Sequence, residues 1–177
     1  MEEKVILRRL KPEDAPLMLE WMHDPSVVEN MQTDFSRKTL DDCLAFIAAA
    51  QEFRDNIHMA IALEDDDTYL GTVILKHIRD NTAEFAITVR KRAMGKGYAS
   101  QGMRKILEYG LREMGLNSIY WCVSPDNGRA VRFYTKNGFG RIPVPEITAY
   151  TAEERARYMW FGYDASDLNR KNEDEVK

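Results

Sequence analysis

Cysteine is scarce in this chain: two residues, Cys43 and Cys122, among 177. Nothing near either one builds a metal knot or a disulfide framework, so both read as small core residues, Cys43 in a helix and Cys122 in a strand. Histidine is as thin, with His23, His58 and His77 scattered at no ligand spacing, and no metal site is expected. No apolar run is long enough to span a bilayer, and the charged N-terminus shows no signal region. A cytoplasmic protein with no membrane partner is therefore expected. Positive charge is not in excess: 25 Lys and Arg face 29 Asp and Glu, a net charge of −4, which argues against a general nucleic-acid binder. What is present is a 44% hydrophobic chain of about one domain's length, enough for a sizeable core. It has no internal repeat and no linker.

Periodicity supplies the elements. Residues 4–10 read as a strand. A helix starts at Pro12-Glu13-Asp14, carries Leu17, Met18, Trp21 and Met22, and ends at Asp24-Pro25. Val27, Val28 and Met31 suggest a short helix. Another, capped by Thr39 or Ser36 and running to about Gln51, turns Leu40, Cys43, Leu44 and Ile47 inward. Residues 57–63 and 69–77 make an antiparallel hairpin across the acidic turn at residues 64–67, and residues 83–89 form the next strand after the Arg79-Asp80-Asn81 turn. A long helix spans residues 98–114 before Gly115, and residues 119–123 form a buried strand broken by Pro125. Asp126 or Asn127 caps a helix ending at Gly138. Residues 139–144 begin a strand that Pro143 and Pro145 bend, residues 157–163 form the last strand, and the polar tail from Asp167 is expected to fray. The strand–helix–strand unit over residues 83–123 implies one parallel pair in a mainly antiparallel sheet, an α/β (α+β) arrangement.

One stretch stands out: Arg92-Ala93-Met94-Gly95-Lys96-Gly97-Tyr98-Ala99, lying between a strand and a helix. Two glycines one residue apart allow a sharp turn and close approach of a ligand to the backbone. The free N–H groups of the following helix add a positive dipole end, so the stretch suits a pyrophosphate. A dinucleotide fingerprint is not met, because Ser100 occupies its last glycine position, and a nucleotide phosphate loop fails because Tyr98 follows Gly97. Charge distribution agrees with an anionic ligand. Residues 1–80 hold 9 Lys and Arg against 17 Asp and Glu, whereas residues 81–140 hold 10 against 4. A plain tight turn and ordinary solvated charges remain the competing readings.

The Arg-x-x-Gly-x-Gly spacing resembles the acetyl-CoA-binding motif of the GNAT superfamily of N-acetyltransferases. A second block, from Asn127-Gly128-Arg129-Ala130 through Phe133-Tyr134 to Gly138-Phe139, is similar to that family's Asn-x-x-Ala-x-x-Phe-Tyr-x-x-x-Gly-Phe. The resemblance covers about residues 1–163. It implies a sheet of six to seven strands with helices on both faces and a splayed central parallel pair ending near Val89 and Val123, with the pantetheine arm in the gap. The expected organisation is one domain over residues 1–166 and a polar tail over 167–177.

The resemblance further implies acetyl-CoA as cosubstrate, without a metal. Its contacts would come from Ile87 and Val89 on the strand, from Arg92, Met94, Gly95, Lys96, Gly97, Tyr98, Ala99 and Ser100 in the loop, and from Asn127, Arg129, Ala130, Phe133 and Lys136. Tyr134 occupies the position of the general acid, a phenol that carries its proton at neutral pH. Glu84 is the candidate base, sharing a strand face with Ala86 and Thr88. Asn127 reads both as a helix cap and as a pantetheine ligand, the two being compatible if Asp126 takes the cap. Acceptor-side candidates are Trp21, Phe35 and Tyr150, with Met22, His23 and Met31 nearby. The run Trp21-Met22-His23-Asp24-Pro25 is similar to a pattern near RimL-like ribosomal-protein acetyltransferases and aminosugar acetyltransferases, and does not separate them. The leading expectation is acetylation of a small-molecule primary amine, an aminosugar nucleotide among the options, by direct attack in a ternary complex. Acetylation of a protein N-terminus and a non-catalytic acyl-CoA-binding module are the alternatives, with a monomer or homodimer as the assembly.

Overall fold

A computed structural model describes residues 3–146 and 149–175. Seven strands form one sheet: β1 (Val5–Arg9), β2 (Ile57–Leu63), β3 (Tyr69–Arg79), β4 (Thr82–Val89), β5 (Ser118–Val123), β6 (Gly140–Arg141) and β7 (Met159–Asp164). Their spatial order is β1-β2-β3-β4-β5-β7-β6. The helices are α1 (Ala15–Met22), α2 (Pro25–Val28), α3 (Leu40–Ala49), α4 (Tyr98–Arg112), α5 (Gly128–Lys136), α6 (Ala152–Arg157) and α7 (Ala165–Glu175). The expected parallel pair is present as β4 beside β5, and its register runs from Thr82↔Ser118 to Glu84↔Tyr120. The ladder thus covers three residue pairs of strands that are eight and six residues long.

Two compact units divide the chain, one reaching Leu75 and including Ala86–Ile106, the other Lys76–Phe85 and Leu107 onward. The first has its own core, in which Met18, Trp21 and Met22 of α1 and Cys43 and Ile47 of α3 pack with Ala60 and Tyr69. The start of α3 is fixed by a reciprocal cap: the Thr39 hydroxyl accepts from the Asp42 N–H while the Asp42 carboxylate accepts from the Thr39 N–H at 2.8 Å. Ser36 plays no part in it. Leu40 and Leu44, expected inward, are 42% and 37% exposed, because α3 turns only the stripe through Cys43 and Ile47 to the core.

The second unit is built on aromatic rings. Trp121 of β5 meets Phe85 and Phe139 edge-on at 5.5 and 5.2 Å, lies tilted against Tyr134 at 5.4 Å, and stacks on Phe161 at 6.1 Å. Two helices here depart from the sequence expectation. α6 fills the stretch before β7, started by a capping box of Thr151 with Glu154. α7 occupies the segment expected to fray, its first turn held by Asp164, whose carboxylate accepts from the N–H groups of Ser166 and Asp167. Within the segment expected to be a strand after Phe139, only Gly140–Arg141 pair in the sheet. Among the described residues, no helix is long and apolar enough to cross a membrane.

Candidate active site

In the first unit β4 ends at Val89 and the chain turns through a short 3-10 segment, Lys91–Ala93, into α4. Arg90 anchors the start of that turn. Its backbone N–H donates to the Leu70 carbonyl at 2.8 Å, and its guanidinium, nearly buried, donates to the Tyr69 carbonyl at 3.0 Å and to both Glu20 oxygens at 3.1 and 3.0 Å. Gly95 and Gly97 adopt φ of 76° and 82°, the left-handed region that glycine enters at no steric cost. A side chain built on Gly95 would meet nothing within 4 Å, so the backbone there faces open space. α4 begins at Tyr98, and the N–H groups of Tyr98, Ala99 and Ser100 belong to the helical turn that has no acceptor within the helix. These are the features a diphosphate needs, and the residues fit the phosphates of acetyl-CoA.

The side chains of the loop divide. Arg92 and Lys96 are exposed, and the Lys96 ammonium lies 5.9 Å from the centre of the Tyr98 ring. Tyr98 itself is buried, with its hydroxyl donating to Glu3, which leaves its backbone N–H as the group facing the loop. Met94 packs half-buried on the first unit's core. Ile87 and Val89 are half-buried on β4. The acceptor-side candidates Trp21 and Phe35 meet edge-on at 5.3 Å. Trp21 is buried, and its indole N–H donates to the Tyr69 hydroxyl at 3.1 Å, which makes it a core residue with its polar group already committed. Met22 and Met31 pack on the same core, and exposed His23 has its Nε2 2.9 Å from the Lys38 carbonyl.

The second unit holds the titratable cluster. Glu84 is buried, its side chain 3% exposed. Its Oε1 accepts from the Tyr150 hydroxyl at 2.7 Å and lies 3.4 Å from the Lys76 ammonium, while its Oε2 is 2.9 Å from His77 Nδ1. Tyr150 also hydrogen-bonds the Cys122 thiol. Burial first, and then the bond to Glu84, push the Tyr150 phenol far above its ordinary value. Burial and the nearby Glu84 charge raise Tyr120 to about 12, and burial raises the Cys122 thiol to about 11. At neutral pH Cys122 is therefore a thiol and not a nucleophile. Tyr134, on α5, is buried among Trp121, Phe133 and Phe161; burial, then the neighbouring Cys122, raise its phenol, so it stays protonated.

Of the remaining candidates, Asn127 is itself the cap of α5. Its side-chain oxygen accepts from the Ala130 N–H at 3.1 Å, so Asp126 does not take that role and only the Asn127 amide NH₂ is left to donate to a ligand. Ala130 and Phe133 are half-buried on α5, whereas Arg129 and Lys136 are exposed.

Sequence reasoning had singled out Glu84 and Tyr150 separately, and the structure brings them into contact. It missed Lys76, His77, Tyr120 and Cys122. One signal was available for His77: a hairpin turning at Asp80-Asn81 brings position 77 abreast of position 84. Among the described residues no group of three His, Cys, Asp or Glu is placed to hold a metal.

Comparison with known proteins follows the same lines. The family described as acetyltransferase (GNAT) domain matches residues 4–140. The uncharacterized N-acetyltransferase p20 of Bacillus licheniformis is 26% identical over 143 residues, 77% of this chain and 79% of that protein. The spermidine N(1)-acetyltransferase of Escherichia coli K12 is 29% identical over 101 residues, 54% of each chain. Among solved structures, the spermidine N-acetyltransferase of Vibrio cholerae in complex with CoA and spermine superposes with a TM-score of 0.74. It is 19% identical, and the match covers 92% of this chain and 96% of that one, a likeness of fold.

Proposed function

The chain belongs to the GNAT acetyltransferase family, whose members use acetyl-CoA, and from that premise we propose that it acetylates a primary amine of a small cationic molecule, a polyamine first among them. The observation that carries the small-molecule reading is the bond from Tyr150, just before α6, to the buried Glu84 carboxylate, which covers that carboxylate with a ring. A peptide N-terminus needs an open groove, whereas a metabolite fits a closed pocket. The polyamine preference draws on the spermidine acetyltransferases among its relatives, on an anionic residue at the centre of the cluster, and on the net charge of −8 over residues 1–80.

Acyl transfer from a thioester to an amine needs a neutral amine, a polarised carbonyl, attack geometry and a protonated leaving thiolate. The loop amides of Gly95–Ser100 hold the diphosphate of the cosubstrate. Glu84, the candidate base, attracts the ammonium form of the acceptor. Tyr134 donates its phenolic proton to the departing thiolate, and the amine attacks the thioester directly, with no acyl-enzyme.

A thiol-release assay with acetyl-CoA against spermidine, spermine, aminosugar nucleotides and N-terminal peptides tests this. Release is expected with the polyamines and not with the peptides. Faster turnover of peptides reverses the assignment of acceptor, and acetyl-CoA binding without release on any amine makes the protein a non-catalytic acyl-CoA-binding module.

A further inference from the structure

We propose that His77 is the group that takes and carries away the acceptor's proton, with Glu84 as its fixed anionic partner. This deepens the amine-acetylation reading above and rests on it.

The backbone carries the argument. Successive side chains of a strand point to opposite faces. Lys76 and His77 are successive residues of β3, yet Lys76 Nζ lies 3.4 Å from one oxygen of Glu84 and His77 Nδ1 lies 2.9 Å from the other. A regular pleat forbids that. His77 has φ of 52°, a left-handed conformation inside a strand, and this break turns two adjacent side chains onto one carboxylate. Such a conformation is unfavourable in itself and persists where the surroundings demand it, which is why it marks functional positions.

The cluster also divides the labour between its two members. Glu84 already faces the Tyr150 hydroxyl, the Lys76 ammonium and the His77 ring, so both of its oxygens are engaged. A carboxylate that accepts from Nδ1–H selects the imidazole tautomer whose basic lone pair is on Nε2, as in a base oriented by an acid. The exposures agree: the His77 side chain is 42% exposed and that of Glu84 only 3%. The ring is the member of the pair that reaches water. In the step, an N–H bond of the acceptor ammonium breaks and an Nε2–H bond forms, directly or through one water. The amine keeps the electron pair for attack, the imidazolium is held beside the Glu84 carboxylate, and the proton then passes to solvent. Glu84 is met by Lys76 and His77 from β3 and by Tyr150, and its charge is felt at Tyr120 and Cys122 on β5; Arg79 acts in turn on Tyr120, and Glu154 on Cys122 and on Tyr158, just after α6.

Two variants test this. His77→Gly suits the left-handed backbone and leaves room for free imidazole. Its turnover at pH 8 should fall by about 10²-fold or more, and added imidazole should restore part of it in proportion to the neutral form. His77→Asn tolerates the same φ and cannot titrate. On the acid side, kcat/KM of the unaltered protein should fall as its base takes up a proton, since the working form is neutral, and the Asn variant should lose that acid limb. Wild-type rates and pH profiles in both variants overturn the proposal. So does a slow but folded Gly variant, shown by unchanged Tm and acetyl-CoA binding, that imidazole cannot rescue. Absence of thiol release by the unaltered protein with every amine is a different result: it strikes the amine-acetylation reading, and the His77 role falls with it.

Discussion

Tyr134 and Glu84 show how far one residue type constrains its chemistry. Tyr134 packs its ring against Trp121 and Phe161, so Tyr134→Phe keeps the packing and removes only the hydroxyl. Turnover should fall by roughly tenfold or more with little change in Tm or in acetyl-CoA affinity, as read by steady-state kinetics beside calorimetry. Unchanged turnover removes the phenol from the mechanism. The two positions also differ in how they could be read beforehand. Tyr134 was visible because it sits in a local spacing with Asn127 and Phe139. Glu84 was visible as an acid at a strand start, but its burial was not, because its partners are remote. Tyr150 lies 66 residues along the chain, and although the hairpin register sets His77 abreast of Glu84, no periodicity announces the positive φ at His77 that turns Lys76 onto the same carboxylate. Trp21 fails in the opposite sense. Its place in a motif suggested the acceptor pocket, whereas its indole N–H is taken by Tyr69 in the core.

Elements were legible where their ends carry chemistry. The α3 start at Thr39, the α4 stop before Gly115, and the two-glycine turn ahead of α4 all follow from capping groups or positive φ. α6 was missed although Thr151-x-x-Glu154 is the same capping signature that identified α3, because a six-residue helix next to Pro143 and Pro145 shows no apolar period. α7 was missed because its polar composition resembles an unfolded tail and its stop is not marked. A sharper test of an element lies in β3. A side chain at Gly71 would come within 2.3 Å of the Thr88 carbonyl oxygen and 2.8 Å of Val89 Cα. These are backbone atoms of the strand that leads to the loop, and they cannot rotate away. Gly71→Ala should therefore destabilise by about 1–3 kcal/mol, a loss of order 3–10 °C in Tm by calorimetry, and should weaken acetyl-CoA binding by displacing the turn. An unchanged Tm would show that β4 yields without cost at this point.

At the scale of the whole molecule, pH is the variable that touches every part. His58, with its ring edge-on to Phe46, has its pKa pushed below the ordinary 6.5 by burial, and its Nδ1 has no partner among the described residues. The unfolded chain then binds the proton more readily than the folded one. Stability is full above pH 6.5 and is lost as pH falls toward the lower folded value. A second stage follows in stronger acid. Asp24, Asp42 and Asp164 are held below the ordinary carboxylate value mainly by hydrogen bonds from Ser26, Thr39 and Ser166, and Asp67 by bonds from Lys11 and Arg8. Their contribution is present above the unfolded value and is lost as pH falls through the folded ones. Tm measured from pH 8 to pH 3 should decline in two steps, and His58→Phe should abolish the first and keep the second. A single step common to both proteins would assign the upper loss to another group.

The bond from Tyr150 to Glu84 has a consequence for which molecules gain entry. A neutral phenol is a weaker partner for a carboxylate than a positively charged nitrogen, since charge assistance roughly doubles the strength of such a bond. On the amine-acetylation proposal, a protonated acceptor therefore has a stronger claim on this carboxylate than the phenol that holds it. An alcohol of the same shape would bring no such charge, so on that proposal selection would begin with entry, before any thioester is at risk.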